Sequence, residues 1–313
     1  MKGLLWSIFL VLACSLCGIA QSERCRIATW NVENLFDTLH DVGKEDYEYL
    51  PSAERGWTSW RYWHKLRGIG QTLAAMGLPT LVGLQEVEND TVLRDLTRRT
   101  ALWKAGYKYV MTDSRDVRGV DVALLYDSRV FALESHRSVR VCSDEAGLRP
   151  TRDMLVCSGR VGKERRIHVI VVHMPSRRNN NASTRNLRNL AFATLNGIVD
   201  SVGGRSVVVI GDFNAEPRDA VFGAVKGVRS VLTHDRKRLR GEHGTYCFRG
   251  LWGYLDNILV SEDLLPMVRG EAVECRYEWL MRRDGKIPRR TYGGTFYMGG
   301  LSDHLPLIAD FDF

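Results

Sequence analysis

"VVVIGDFNAEP", residues 207–217, is the stretch from which the fold can be read. Four β-branched residues in a row, Val207, Val208, Val209 and Ile210, describe a fully buried strand. The run reaches Gly211 and then presents Asp212 and Asn214, with Phe213 between them. Residues two apart on a strand share a face, so a core strand delivers an acid and an amide to its own tip. Gly, Asp, Asn and Pro also end strands simply as turn formers. The rest of the chain decides between loop and site.

Apolar runs predict further strands at 26–30, 81–84, 107–111, 121–126, 138–142, 154–161, 166–172, 255–260 and 305–311. Helical spacing predicts helices over 57–76, 91–103 and 186–202. In the first, Trp60, Trp63, Leu66, Ile69, Leu73 and Met76 form one stripe, and Gly77 closes it. No repeat or Pro/Ser-rich linker interrupts the order, so 21–313 reads as one domain of mixed α/β layers. Polar residues recur at the strand ends: Asn31, Glu86, His173, Asp212 with Asn214, Asp256, and Asp303 with His304. Turn formation explains each one singly. Their recurrence predicts one polar cleft built from strand-end loops.

The first twenty residues have a secretory signal pattern: Lys2, an apolar run from Leu4 to Leu12, and small residues up to Ala20. Residues 1–20 are expected to be removed, leaving an exported protein, secreted or periplasmic. A cut before Cys14 or Cys17 would instead leave a lipid anchor. No later run is long and apolar enough to span a bilayer. Of seven cysteines, two lie in that segment, leaving Cys25, Cys142, Cys157, Cys247 and Cys275. None shows C-x-x-C spacing, which argues against zinc. A Cys142–Cys157 bridge would contribute about 3 kcal/mol, although spacing does not fix the pairing. The net charge of +7, or +6 without Lys2, favours anionic partners. A monomer is expected.

"TWNVENLFD", "LVGLQEVEN", "VVHMPS", "VVVIGDFNAEP", "GYLDNILVS" and "GLSDHLPLIADF" occur in the order of the motifs of the endonuclease/exonuclease/phosphatase superfamily, which the chain resembles from about Arg26 to Phe313. The resemblance implies a four-layered α/β sandwich, two packed mixed β-sheets flanked by helices, with the site at one edge. It also implies Glu86 as the principal metal ligand with Asn31 beside it, Asp212 orienting or deprotonating water, and Asn214 donating to a phosphoryl oxygen. His304, held by Asp256, is implied as a proton-transfer group or phosphate clamp. His173 matches the second histidine of the deoxyribonuclease-like and sphingomyelinase-like branches.

The residue chemistry agrees. A phosphodiester repels hydroxide, so its hydrolysis needs positive charge, an activated water and a stabilised leaving oxygen. The oxygen donors of Glu86, Asn31 and Asp303 suit a hard cation, Mg²⁺ first, with Mn²⁺ or Ca²⁺ as alternatives. Asp121 is a candidate to orient His173, and a solvent-facing acid is the alternative. Arg185 and Arg188, three apart at a helix start, are candidate phosphate binders. Trp252 is a candidate stacking surface, and the basic run 234–243 suits a polyanion. The sequence predicts a phosphoesterase, with nucleic acid the favoured substrate. Small or lipid phosphoesters, or anion binding without turnover, are the alternatives. The absence of an obvious exposed aromatic hairpin counts against a sphingomyelinase.

Overall fold

The computed structural model describes residues 24–141, 150–162, 165–177, 181–232 and 243–313. The expected signal segment lies outside them, as do Cys142 and all of the basic run except His243.

The strands in chain order are β1 (Arg24–Leu35), β2 (Leu81–Val87), β3 (Lys108–Met111), β4 (Asp121–Tyr126), β5 (Phe131–Val139), β6 (Met154–Val161), β7 (Arg165–His173), β8 (Val207–Asp212), β9 (Val228–Ser230), β10 (Tyr246–Phe248), β11 (Leu251–Gly253), β12 (Asp256–Ser261), β13 (Val268–Glu274), β14 (Tyr292–Gly293), β15 (Phe296–Tyr297) and β16 (Leu307–Asp312). The long helices are α1 (Ser59–Ala75), α2 (Asp90–Arg99) and α3 (Ala182–Ser201). One six-stranded sheet runs β13-β16-β1-β2-β4-β3 and the other β5-β6-β7-β8-β12-β9. Each contains one parallel pair, β1–β2 and β7–β8. A parallel neighbour needs a crossover, and α1 and α3 supply the two.

The burial of β8 shows why its residues are β-branched throughout. Val208 and Ile210 face the space between the sheets with Ile27, Leu124 and Val171. Val207 and Val209 face outward onto Phe192, Leu195 and Ile198 of α3. On the other side, Trp30, Val82 and Leu84 pack against Leu66, Ile69 and Leu73 of α1 and Leu93 and Leu96 of α2. Helices, sheet, sheet and helix form the four-layered sandwich implied by the sequence.

Several boundaries differ from expectation. β5 begins at Phe131 rather than 138, because most of its residues are exposed and carry no apolar run. α3 begins at Ala182, since Asn181 caps it by accepting from the Thr184 N–H at 2.9 Å. Trp60, expected in the core stripe of α1, is 66% exposed, while Lys65 is fully buried in its place. Cys157, Cys247 and Cys275 form no disulfide, so Cys157 takes no part in the expected bridge.

Candidate active site

The two parallel pairs end at the same edge, and the polar strand tips meet there. His173 is paired in register with Asp212, and Asp212 with Asp256. The close approach of β7 and β8 requires Gly211. Its φ is +152°, and a Cβ there would sit 1.9 Å from the Val172 carbonyl oxygen. Beyond the strand, Asp212 closes a turn by accepting the Asn214 N–H at 2.8 Å. Asn214 therefore has φ +46° and lies past the strand end, not on its face.

His304 Nδ1 lies 2.7 Å from Asp256 Oδ2, and His304 Nε2 lies 3.9 Å from Asp212 Oδ2. Burial opposes a charge on His304, but Asp256 and Asp212 outweigh it and hold the pKa well above the ordinary histidine value. Burial, with the charge of Asp256, pushes Asp212 up to about 7 against the pull of His304. His173 behaves oppositely. Burial, then Arg152 and Arg118, hold its pKa well below the ordinary value, so its ring is neutral. Its Nε2 lies 3.6 Å from Asp212 Oδ2 and 3.9 Å from Glu86 Oε1. Asp256 Oδ1, His173 Nδ1 and Arg152 Nε are buried with no hydrogen-bond partner among the described residues.

Glu86 reaches this row from the other sheet. The ladder of β2 shifts register around it, and its φ of +63° turns the side chain into the cleft. Asn34 donates its N–H to Glu86 Oε2 at 2.8 Å, and Asn31 Nδ2 lies 3.4 Å from Glu86 Oε1 and 3.1 Å from Asp212 Oδ2. Burial works against the Glu86 charge, but Arg118 and Arg152 outweigh it and keep its pKa low. The facing carboxylate oxygens of Glu86 and Asp212 fit a hard divalent cation, whereas Asn31, expected as a second ligand, turns its Nδ2 towards them and its Oδ1 to the Glu33 N–H at 3.0 Å. Asp212, Asp256 and His304 also offer ligand atoms within 4.8 Å of one another. The last two, however, are hydrogen-bonded together around a protonated ring, an arrangement for moving a proton rather than holding a metal.

Other expected residues take different places. Asp303, expected as a ligand, accepts Arg290 Nη2 at 2.6 Å. Asn214 Nδ2, expected to donate to substrate, donates to the Met174 carbonyl at 2.9 Å and lies 3.4 Å from Asp212. Asp121 does not orient His173; it accepts the Thr112 hydroxyl and, at 3.0 Å, the Ser114 N–H, because β4 belongs to the opposite sheet. Arg185 and Arg188 are not among the residues lining the cleft. Trp252 does line it, but its ring is covered by the Arg276 guanidinium at 4.1 Å. The rim instead presents Phe248, 59% exposed, and Leu251, 70% exposed, from the β10–β11 hairpin. An exposed aromatic hairpin is thus present where none was expected.

The sequence reading missed the cations. Arg118, Arg152, Arg177 and Arg290 line the cleft from loops with no apolar frame to mark them. Arg152 donates to Asp116 at 3.3 Å and to the Met174 carbonyl at 3.0 Å. Arg290 also donates to Glu33 at 3.3 Å, and Glu33 accepts the Thr291 N–H at 2.8 Å. Lys65 lies behind this wall and donates to the Glu33 carbonyl and to Thr291 Oγ1. Burial pushes Glu33 up and pulls Lys65 down. A lysine at a core-facing position of α1, three after buried Tyr62 and four before buried Ile69, was the readable signal.

Among solved structures, the D. rerio TDP2 complexed with single strand DNA product is 17% identical over 93% of this chain and 99% of its own, with TM-score 0.60. The catalytic domain of human Nocturnin with bound sulfate anion is 19% identical, covering 93% of this chain and 94% of its own, with TM-score 0.59. An endonuclease/exonuclease/phosphatase family protein from Bacteroides thetaiotaomicron is 15% identical, covering 94% and 100%, with TM-score 0.61. At these identities the likeness is one of fold. No curated protein matches the chain. A family model described as Endonuclease/Exonuclease/phosphatase family matches residues 26–312, and the chain belongs to that family, whose members hydrolyse phosphoesters.

Proposed function

We propose that the protein is an exported, divalent-metal-dependent phosphodiesterase acting on nucleic acid. The observation that carries this reading is the buried row His173, Asp212, Asp256 and His304 set against Glu86 and Asn31, with Arg118, Arg152, Arg177 and Arg290 around it. Glu86 would hold the cation, with Asn31 steadying its Oε1 through Nδ2. When bound, the cation would neutralise phosphoryl charge and polarise the phosphorus centre. Asp212, steadied by Asn31 and Asn214, accepts the proton of the attacking water. His304, charged through Asp256, clamps a phosphoryl oxygen or gives a proton to the leaving oxygen. Neutral His173 hydrogen-bonds the phosphoryl group, and Asp303 and Glu33 aim Arg290 at it. The single strand DNA product in the TDP2 complex is consistent with a nucleic-acid substrate.

A supercoiled plasmid with Mg²⁺ and with chelator tests the reading. Metal-dependent nicking, lost in Asp212→Asn and His304→Ala, is expected. No nicking by folded, metal-loaded protein would overturn the nuclease assignment. The signal pattern at 1–20 supports export, and a mature N-terminus at Gln21 is the expected mass-spectrometric result.

The Phe248–Leu251 rim favours a second reading, a phospholipase acting on lipid headgroups. Phosphocholine release from sphingomyelin vesicles, without plasmid nicking, would select it.

A further inference from the structure

Residues 281–300, MRRDGKIPRRTYGGTFYMGG, enter the chemistry above only through Arg290 and Thr291. The first ten hold Arg282, Arg283, Lys286, Arg289 and Arg290 against the single acid Asp284. The segment folds as two consecutive tight hairpins. In the first, Met281 bridges to Pro288 and the Arg282 N–H donates to the Ile287 carbonyl at 2.9 Å. In the second, Tyr292 of β14 faces Tyr297 of β15. Arg289 fastens the two together, its Nε donating to the Met298 carbonyl at 2.8 Å. Arg283, Lys286 and Arg289 are exposed.

The first turns of α1 lie against the second hairpin. The Trp60 ring is parallel to the His64 imidazole at 5.3 Å and edge-on to Tyr297 at 6.3 Å. His64 Nε2 lies 3.3 Å from the Gly299 carbonyl, and the Arg61 guanidinium covers Tyr297 at 4.3 Å. Phe296, 75% exposed, projects from the same hairpin. The Trp60 ring is thus held by its neighbours yet open to solvent, and Phe296 is open beside it on the second hairpin. They also begin close to the cleft. Trp60 precedes Lys65 by five residues, about 7.5 Å along the helix axis, and Lys65 Nζ bonds Thr291 Oγ1 at 2.7 Å, next to cleft-lining Arg290.

We infer that this face binds the single-stranded polynucleotide beyond the scissile phosphate, with bases stacked on Trp60 and Phe296 and phosphates on Arg283, Lys286 and Arg289. The inference rests on the phosphodiesterase reading and extends it outside the cleft. Every base has an aromatic face, so exposed rings beside cations hold a strand without reading its sequence. Arg289, bonded to the Met298 carbonyl next to Tyr297, puts cations and rings on one pair of hairpins, a pairing that suits a nucleotide strand more closely than the plane of a bilayer.

The test uses the mature chain in chelator, with fluorescent oligothymidylates of about fifteen nucleotides, several times the smallest site of a stacking groove, and of two nucleotides. Trp60→Ala with Phe296→Ala should weaken the long oligomer about thirtyfold or more, and Arg283→Ser with Lys286→Ser should flatten its salt dependence. Binding of the dinucleotide and metal-dependent turnover of bis-p-nitrophenyl phosphate should stay at the wild-type level. Unchanged affinity for the long oligomer in both variants would overturn the inference, as would loss of binding to phosphatidylserine vesicles in place of the oligomer. Turnover of the small diester reads the catalytic proposal separately, so a silent platform beside an active centre counts against the platform alone.

Discussion

The unit β1–α1–β2 and the unit β7–α3–β8 share one plan, a parallel pair joined by a helical crossover, yet they bring their side chains to the cleft by different means. In the second unit, unbroken ladder positions do it: His173 and Asp212 simply terminate their strands in register. In the first, both ladders slip, and Glu33, Asn34 and Glu86 all take positive φ. Left-handed backbone at non-glycine residues costs energy and persists only where the surroundings impose it. In the proposed reading, the regular unit carries Asp212 and His173, which would handle protons, and the strained unit carries Glu86, which would hold the cation.

That contrast can be broken most severely at Asp212. Asp212→Asn should lower metal-dependent phosphodiester turnover about a thousandfold, with circular dichroism unchanged and no recovery at high Mg²⁺. The next largest effect is on stability. Gly211→Ala places a Cβ against backbone and should cost about 3 kcal/mol in urea unfolding. Gly83→Ala in the first unit meets side chains alone, Ile210 at 2.7 Å and Val171 at 3.2 Å, and should cost about half as much. Equal costs would mean that the two units tolerate crowding alike. Glu86→Gln should weaken apparent Mg²⁺ affinity about a hundredfold, with turnover recovering as metal is raised. If it fails to recover, Glu86 does more than hold the cation.

The smallest effect lies outside both units. Glu274 accepts from His243 at 3.0 Å and from Tyr254 at 2.9 Å. Burial raises its pKa, but these bonds and Arg276 outweigh burial and hold it below the ordinary glutamate value. A lowered carboxylate pKa stabilises the fold above the unfolded-state value and loses that contribution as pH falls through the folded one. Glu274→Gln should therefore lower stability by about 1 kcal/mol near neutrality, and the gap should close in melting curves taken below about pH 4. A gap independent of pH would mean that the charge is not what matters.

The regular unit was also the legible one. An apolar strand bounded by Asp or His marks the residue twice, by pattern and by position, so Asp212 and His173 at the ends of β8 and β7, and Asp256 at the start of β12, could be read directly. Glu86 was legible as a strand end, but the bulge that aims it was not, because no residue type there demands positive φ. Arg118, Arg152 and Arg290 stand in loops whose partners are distant in sequence. Arg185 was misplaced because the helix begins at Ala182, four residues before the expected start. Asp121 shares the strand-end pattern but sits in the opposite sheet, and strand order is not written in periodicity.

The register of His173, Asp212 and Asp256 across three adjacent strands has a further consequence. Neighbouring strands are spaced about 4.8 Å apart by their backbone hydrogen bonds, so the backbone acts as a ruler for the reactive groups. Their separation is a lattice constant of the sheet and owes little to side-chain packing around them. Loops at the rim can then be lengthened, recharged or exchanged for a different substrate while the spacing of the chemistry stays the same.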